Sequence, residues 1–316
     1  MTKALLMSIG GGVLSALLYL SVVTGGMGAL ILAYLAPLPL LMVGLGSGLR
    51  PFAAAATAAV VVVGIFGGIL FGMTYAVANG LLVAVIVRQT LLARANPDGS
   101  LEWYPPGLLL VVMTGLGLGG LLVAALLTLG DPGGLEGSVR QFLVMGFGDA
   151  AAGTGGDAES GVTQVIDSFS QIFPGMVVVS WLTMAIINAA LAQGVLMRFG
   201  RNLRPAMRVA EVELPHWMPM LLAGAGLLAL IGGDGQLAYL ALNVVIVLLV
   251  PFFFAGLAVV HAFAGARQAR TLLLVVFYFF LLVSGWPIAL VIGLGVIEQW
   301  AGLRRRFART GPDQES

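Results

Sequence analysis

Cysteine is absent from all 316 residues. Its absence excludes disulfides, thiolate zinc sites, iron–sulfur clusters and cysteine nucleophiles. Charge is scarce as well. Asp, Glu, Lys and Arg together make up 9% of the chain, against about a quarter in a soluble domain. So few ions cannot cover the surface of a water-soluble fold of this length. Histidine occurs only at 216 and 261, far apart and each without a histidine partner, so no metal site and no cofactor are expected. The net charge of +1 implies no strong attraction to nucleic acid. There is no Walker motif, and the centres of the apolar runs hold no Asp or Glu, which argues against nucleotide hydrolysis and ion-driven pumping. No Ser/His/Asp or paired-acid arrangement stands out, so no enzyme activity is expected.

What the chain does have is apolar length. Hydrophobic residues make up 59%, and there are 45 glycines, a residue commoner in membrane helices because it lets backbones approach closely. Apolar runs of spanning length lie at 4–23, 28–49, 52–70, 73–93, 106–130, 174–197, 217–232 and 237–263. The N-terminal run is read as a retained first helix rather than a signal peptide, since further spans follow at once. Pro37 and Pro39 predict a kink in the second span. Gly64, Gly67, Gly68 and Gly72 predict a turn between the third and fourth.

Arginine orients these spans, because basic residues concentrate in cytoplasmic loops. With Lys3 inside, alternate crossings return Arg50, Arg88 and Arg94, then Arg198, Arg201, Arg204 and Arg208, then Arg267 and Arg270 to the same side. The segment 131–172, with six acids against the single Arg140, falls outside. Within it, Val162, Val165, Ile166, Phe169 and Phe173 recur at helical spacing and predict an amphipathic helix on the membrane. A weaker helix is expected at 139–147 and a mobile loop at 148–160. The turn-like Asn96-Pro97-Asp98-Gly99-Ser100 falls inside.

The stretch from Thr271 to Trp300 decides where the C-terminus lies. As one straight helix it would be about 45 Å long, against a hydrocarbon core of about 30 Å. It would also leave Arg304, Arg305 and Arg306 outside. Gly285 and Pro287 favour a hinge at Ser284–Pro287. The expectation is a hairpin of two short helices with its tip outward; the rival is one kinked, tilted helix. The whole reads as an all-α polytopic membrane bundle of about eight full spans plus this hairpin. Residues 1–303 would form one integral-membrane domain, with 304–316 a cytoplasmic tail.

The sequence from Gly115 to Gly120 matches GxGxxG, but it lies in an apolar span with no βαβ unit, so helix packing explains it better than a nucleotide. Ala4, Ser8, Gly12 and Ala16 form a small-residue face at four-residue spacing. It serves either packing within the chain or docking of a partner membrane helix. Polar residues at membrane depth are the default site candidates. These are Asn79, Asn188 and Asn243, with Trp181 and Tyr239 sharing faces with the latter two. Together with Trp286 at the hairpin tip they could line an outward-facing pocket, the simpler reading being interhelical hydrogen bonds. His261 and Glu298 are placed to pair with each other or with Arg267. The arginine clusters read as topology signals that also meet anionic lipid headgroups.

The stretches IFPGMVVVSWLTMAIINAALAQGVLMRFG, LPHWMPMLL, VPFFFAGLAVVHAFA and GLGVIEQWAGLRRRF, in this order, resemble the YybS-like family (DUF2232) of bacterial membrane proteins. The resemblance implies a multi-pass inner (plasma) membrane protein and carries no established activity. At a greater distance it is similar to the substrate-binding S components of energy-coupling-factor transporters, whose first helix docks a coupling subunit through small residues. It is similar at the same distance to scaffold proteins of cell-wall synthesis. The expected function is therefore capture of a small, flat or neutral solute with the help of a membrane coupling partner. The alternative is an envelope scaffold or assembly factor without a solute.

Overall fold

A computed structural model describes residues 2–152, 157–233, 235–265 and 267–304. Fourteen α-helices occur among them, with one short β-hairpin. The helices are α1 Thr2–Leu20, α2 Met27–Tyr34, α3 Pro37–Ser47, α4 Leu49–Gly67, α5 Ile69–Tyr75, α6 Leu82–Thr90, α7 Pro106–Leu127, α8 Gly134–Ala152, α9 Asp157–Ser170, α10 Phe173–Arg198, α11 Met218–Ile231, α12 Gln236–Gly265, α13 Arg270–Ser284 and α14 Pro287–Ala301. Among the described residues, seven segments are long and apolar enough to cross a bilayer: Ala4–Val23, Gly28–Ser47, Leu49–Gly67, Ile69–Thr90, Pro106–Leu127, Phe173–Arg198 and Gln236–Gly265. Side chains such as Leu230, Leu282 and Ile69 are more than four-fifths exposed, as lipid-facing residues are and the surface of a soluble monomer is not.

The breaks follow the helix breakers. The second span divides at Tyr34–Pro37, where Pro37 opens α3. Gly68, at φ +90°, is the whole link between α4 and α5, a conformation that favours glycine. Segment 217–232 is helical over Met218–Ile231; at about 1.5 Å per residue it falls short of the hydrocarbon core. The terminal stretch is two helices, α13 and α14, bent by 119°. Gly285 at the bend has φ +69°, and Pro287 stands at the first turn of α14, where its missing N–H costs nothing. The stretch is therefore not one straight helix but two short ones meeting at this bend.

The segment at 131–172 is more helical than its composition suggests. The expected helix at 139–147 falls in α8 (Gly134–Ala152) and residues 162–169 of the other fall in α9 (Asp157–Ser170), while Phe173, expected on the same helix, opens α10. Most of the predicted loop at 148–160 is thus helical; residues 153–156 lie outside the described residues. Arg140, the one base of this segment, bonds Asp167 at 2.6 Å and ties α8 to α9. The Asn96–Ser100 turn closes a hairpin of β1 (Ala93–Ala95) and β2 (Leu101–Trp103). There the Ser100 hydroxyl and N–H hold the Asp98 carboxyl below its ordinary pKa.

The chain divides into two compact units. The first comprises Met1–Leu109 with Trp181–Met207, the second Leu110–Ser180 with Arg208–Ser316. In the first, α1, α3, α4 and α6 pack around Leu40, Leu41, Val63, Tyr75 and Ile86, all buried. In the second, the core gathers Leu214, Met218, Leu248 and Phe252.

Candidate functional site

The first unit contains a cavity of about 230 Å³, lined among others by Tyr19, Tyr34, Asn79, Leu82, Trp181 and Met184. Its geometry begins with an irregularity. Between α5 and α6, residues Ala76–Leu81 form a π-helical turn, a widening of the helix that is frequent at functional sites. Asn79 sits in this turn, 7% exposed. It lines the cavity, yet its side-chain amide makes no hydrogen bond to any described residue. One residue earlier, the Ala78 carbonyl accepts the Trp181 indole N–H at 2.8 Å. That bond fixes the indole plane as a wall. Tyr19 adds an edge contact to Tyr75, with centroids 5.0 Å apart.

Asn188, one turn beyond Met184 on α10, is fully buried. Its Nδ2 donates to the Tyr34 carbonyl at 2.9 Å and to Met184 at 2.8 Å. The break before Pro37 explains the first bond. Leu38 N–H turns to Leu35 O, so the Tyr34 carbonyl is met by Asn188 instead. The Asn188 Oδ1 is buried without a hydrogen-bond partner. Behind Tyr19, whose ring meets Tyr75, Ser15 Oγ donates to the Ala36 carbonyl and lies 2.5 Å from Tyr75 Oη. This buried hydroxyl pair is not legible in sequence, because serine and tyrosine within apolar helices carry no pattern of their own.

Tyr239 and Asn243 lie in the second unit and are committed to backbone. Tyr239 Oη donates to Ser170 O at 2.9 Å. Asn243 Nδ2 donates to Gln171 O and Tyr239 O, and its Oδ1 accepts Gly175 N–H at 2.7 Å. Both residues pin the turn from α9 into α10 to α12. Trp286 stands at the α13–α14 bend, 63% exposed. Of the six sequence candidates, Asn79 and Trp181 share one cavity, Asn188 borders its wall, and Tyr239, Asn243 and Trp286 belong to the other unit.

The model of the DUF2232 family, described as predicted membrane proteins, matches residues 13–298. The chain belongs to this family. No curated protein and no solved structure matches it. As a DUF2232 membrane protein it contacts the bilayer through several apolar helices.

Two pairings expected in this DUF2232 chain take a different form. His261 Nδ1 bonds Leu257 O at 2.9 Å and its Nε2 faces Tyr278 Oη at 3.4 Å, while Glu298 bonds Arg304 Nε at 2.8 Å. Arg267 instead lies over the Phe263 ring, 4.9 Å from its centroid. Gly302, at φ +54°, turns the chain so that Arg304 folds back on Glu298. The guanidinium also reaches Ala210 O and Val212 O, so Arg304 clamps a loop. Arg305, Arg306 and the rest of the expected tail lie outside the described residues. Arg204 is a fixture too, 7% exposed, with Nη1 on the Thr90 carbonyl at the end of α6. Along the small-residue face, Gly12 and Ala16 are buried, and a side chain at Gly12 would overlap the Ala55 carbonyl of α4. Ser8 Oγ bonds Ala4 O at 3.0 Å, and this N-terminal end borders an open groove.

Proposed function

We propose that this protein is the solute-binding component of an uptake system in the bacterial inner membrane, with both termini cytoplasmic. The observation that carries the reading is Asn79, whose amide bonds none of the described residues and lines a cavity walled by Tyr19, Tyr34 and Trp181. The amide opens on the cavity, where a ligand can bond it. Aromatic walls suit a flat ligand, and an amide offers donors and an acceptor without charge. The cavity, at about 230 Å³, is smaller than the roughly 300–1,000 Å³ of drug-sized sites. That favours a single-ring solute over a nucleotide or a large cofactor.

On the arginine-derived topology, the cavity residues lie toward the external half of their spans. The chain has no Walker motif, so uptake would draw its energy from a partner, as in the S components of energy-coupling-factor transporters. The test is thermal unfolding of the purified protein against a panel of vitamins and nucleobases, with mass spectrometry of co-purifying small molecules. A ligand that raises the wild-type midpoint but not that of Asn79→Leu supports the reading. No shift across the panel together with consistently empty protein overturns it.

A further inference from the structure

We propose that a second opening in the first unit is a binding site for one anionic phospholipid. It is a groove of about 800 Å³ between the N-terminal turns of α1, the C-terminal end of α3, the start of α4 and the end of α10. Its walls are apolar, built from Met7, Met42, Val43, Leu196 and Phe199, while Ser47 and Arg201 supply polar groups. Ser47 and Arg201 are exposed, and neither side chain has a partner among the described residues.

Charge complementarity selects the occupant. Arg50 adjoins the groove residue Pro51 and Arg198 adjoins Phe199, and neither side chain has a partner among the described residues. The first unit carries the basic residues Lys3, Arg50, Arg88, Arg94, Arg198, Arg201 and Arg204 against only Asp98 and Glu102. Asp98 is already engaged by Ser100. A guanidinium presents a planar fork of donors that matches phosphate oxygens. A free phosphate has no use for the methionine and phenylalanine walls, and a zwitterionic lipid neutralises its own phosphate. An anionic phospholipid uses both, with its headgroup at Arg201 and Ser47 and its glycerol and proximal acyl chain along Met42, Val43 and Leu196.

The experiment is native mass spectrometry of the full chain in detergent, titrated with phosphatidylglycerol or phosphatidylcholine of identical acyl chains. One phosphatidylglycerol should be retained where phosphatidylcholine is not. Arg201→Gln should lower the retained fraction about fivefold, the effect of one basic residue at a membrane surface. Ser47→Trp, which obstructs the groove without touching a charge, should lower it as well. Arg208→Gln, whose native partner is Glu211 at 3.9 Å, should leave it unchanged. Equal retention of the two lipids, or undiminished retention by either groove variant, overturns the proposal. If Arg201→Gln fails to fold, judged by size exclusion, Ser47→Trp decides alone. This site and the aromatic cavity stand or fall separately, since one is read by lipid retention and the other by a soluble ligand.

Discussion

Gly295 of α14 lies so close to Gly256 of α12 that a methyl group on its α-carbon would stand 2.8 Å from the Gly256 nitrogen and would overlap the Phe252 carbonyl oxygen. The reverse holds as well: a methyl on Gly256 would overlap the Val291 carbonyl. Two helices are in backbone contact here, which only residues without a side chain permit. This contact holds the second arm of the bent pair against the longest helix.

Gly295→Ala should therefore destabilise by about 1–3 kcal/mol, the usual cost of overpacking, and Gly256→Ala by a similar amount. Gly293→Ala is the control, because nothing lies within 4 Å of its added methyl. That change should be neutral or stabilising by up to about 1 kcal/mol, the helix preference of alanine over glycine. Thermal unfolding in one detergent compares all three. Equal midpoints for Gly293→Ala and Gly295→Ala would contradict the packing.

The Glu298–Arg304 pair predicts a second asymmetry. The Glu298 side chain is 5% exposed and that of Arg304 15%. Removing the cation leaves a buried carboxylate alone, a loss of about 3–5 kcal/mol in such pairs. Arg304→Ala should lower stability by an amount of that order and loosen residues 209–213, measured by hydrogen exchange. Arg304→Lys should restore only part of it, since an ammonium cannot bond Glu298, Ala210 and Val212 in the same fork. Full rescue by lysine would show that charge alone matters.

Most of the span boundaries were legible because bilayer thickness imposes a length on apolar runs and because proline and glycine mark their ends. Pro37, Gly68 and Gly285–Pro287 each break the chain where the sequence places a break. The cavity was half legible. Asn79 and Trp181 stand out as polar and aromatic groups at membrane depth, but the π-helical turn that holds Asn79 leaves no periodic trace. Asn243 looks identical to Asn79 in sequence; what separates them is whether a neighbouring backbone needs a donor, which only packing decides. In sequence Arg304 belongs to a charge run, and nothing local points to its partners Ala210 and Val212, some ninety residues away.

The two asparagines give opposite expectations. Asn243→Leu removes the acceptor of Gly175 N–H and the donor to Gln171 O, leaving both groups unpaired at about 1–3 kcal/mol each. It should lower the unfolding midpoint and raise hydrogen exchange around the α9–α10 turn. Asn79→Leu strips no partner among the described residues and places an apolar side chain at a position only 7% exposed. It should leave stability unchanged or raise it by about 1 kcal/mol. A large loss of stability in Asn79→Leu would mark Asn79 as structural and count against a ligand site there.

The orientation of the bent terminal pair can be read directly because the chain has no cysteine, so each introduced thiol is the only one. Ser284 at the bend and Glu102 on the β-hairpin are both exposed. If basic residues stay on the cytoplasmic side, α13 and α14 carry the bend outward and the β-hairpin lies inside. Ser284→Cys should then react with a membrane-impermeant maleimide in intact cells, while Glu102→Cys should react only after permeabilisation. Labelling of both in intact cells, or of Glu102→Cys alone, would break the arginine-based topology. The aromatic cavity would then lose its outward assignment, although the hydrogen bonds that build it would be untouched.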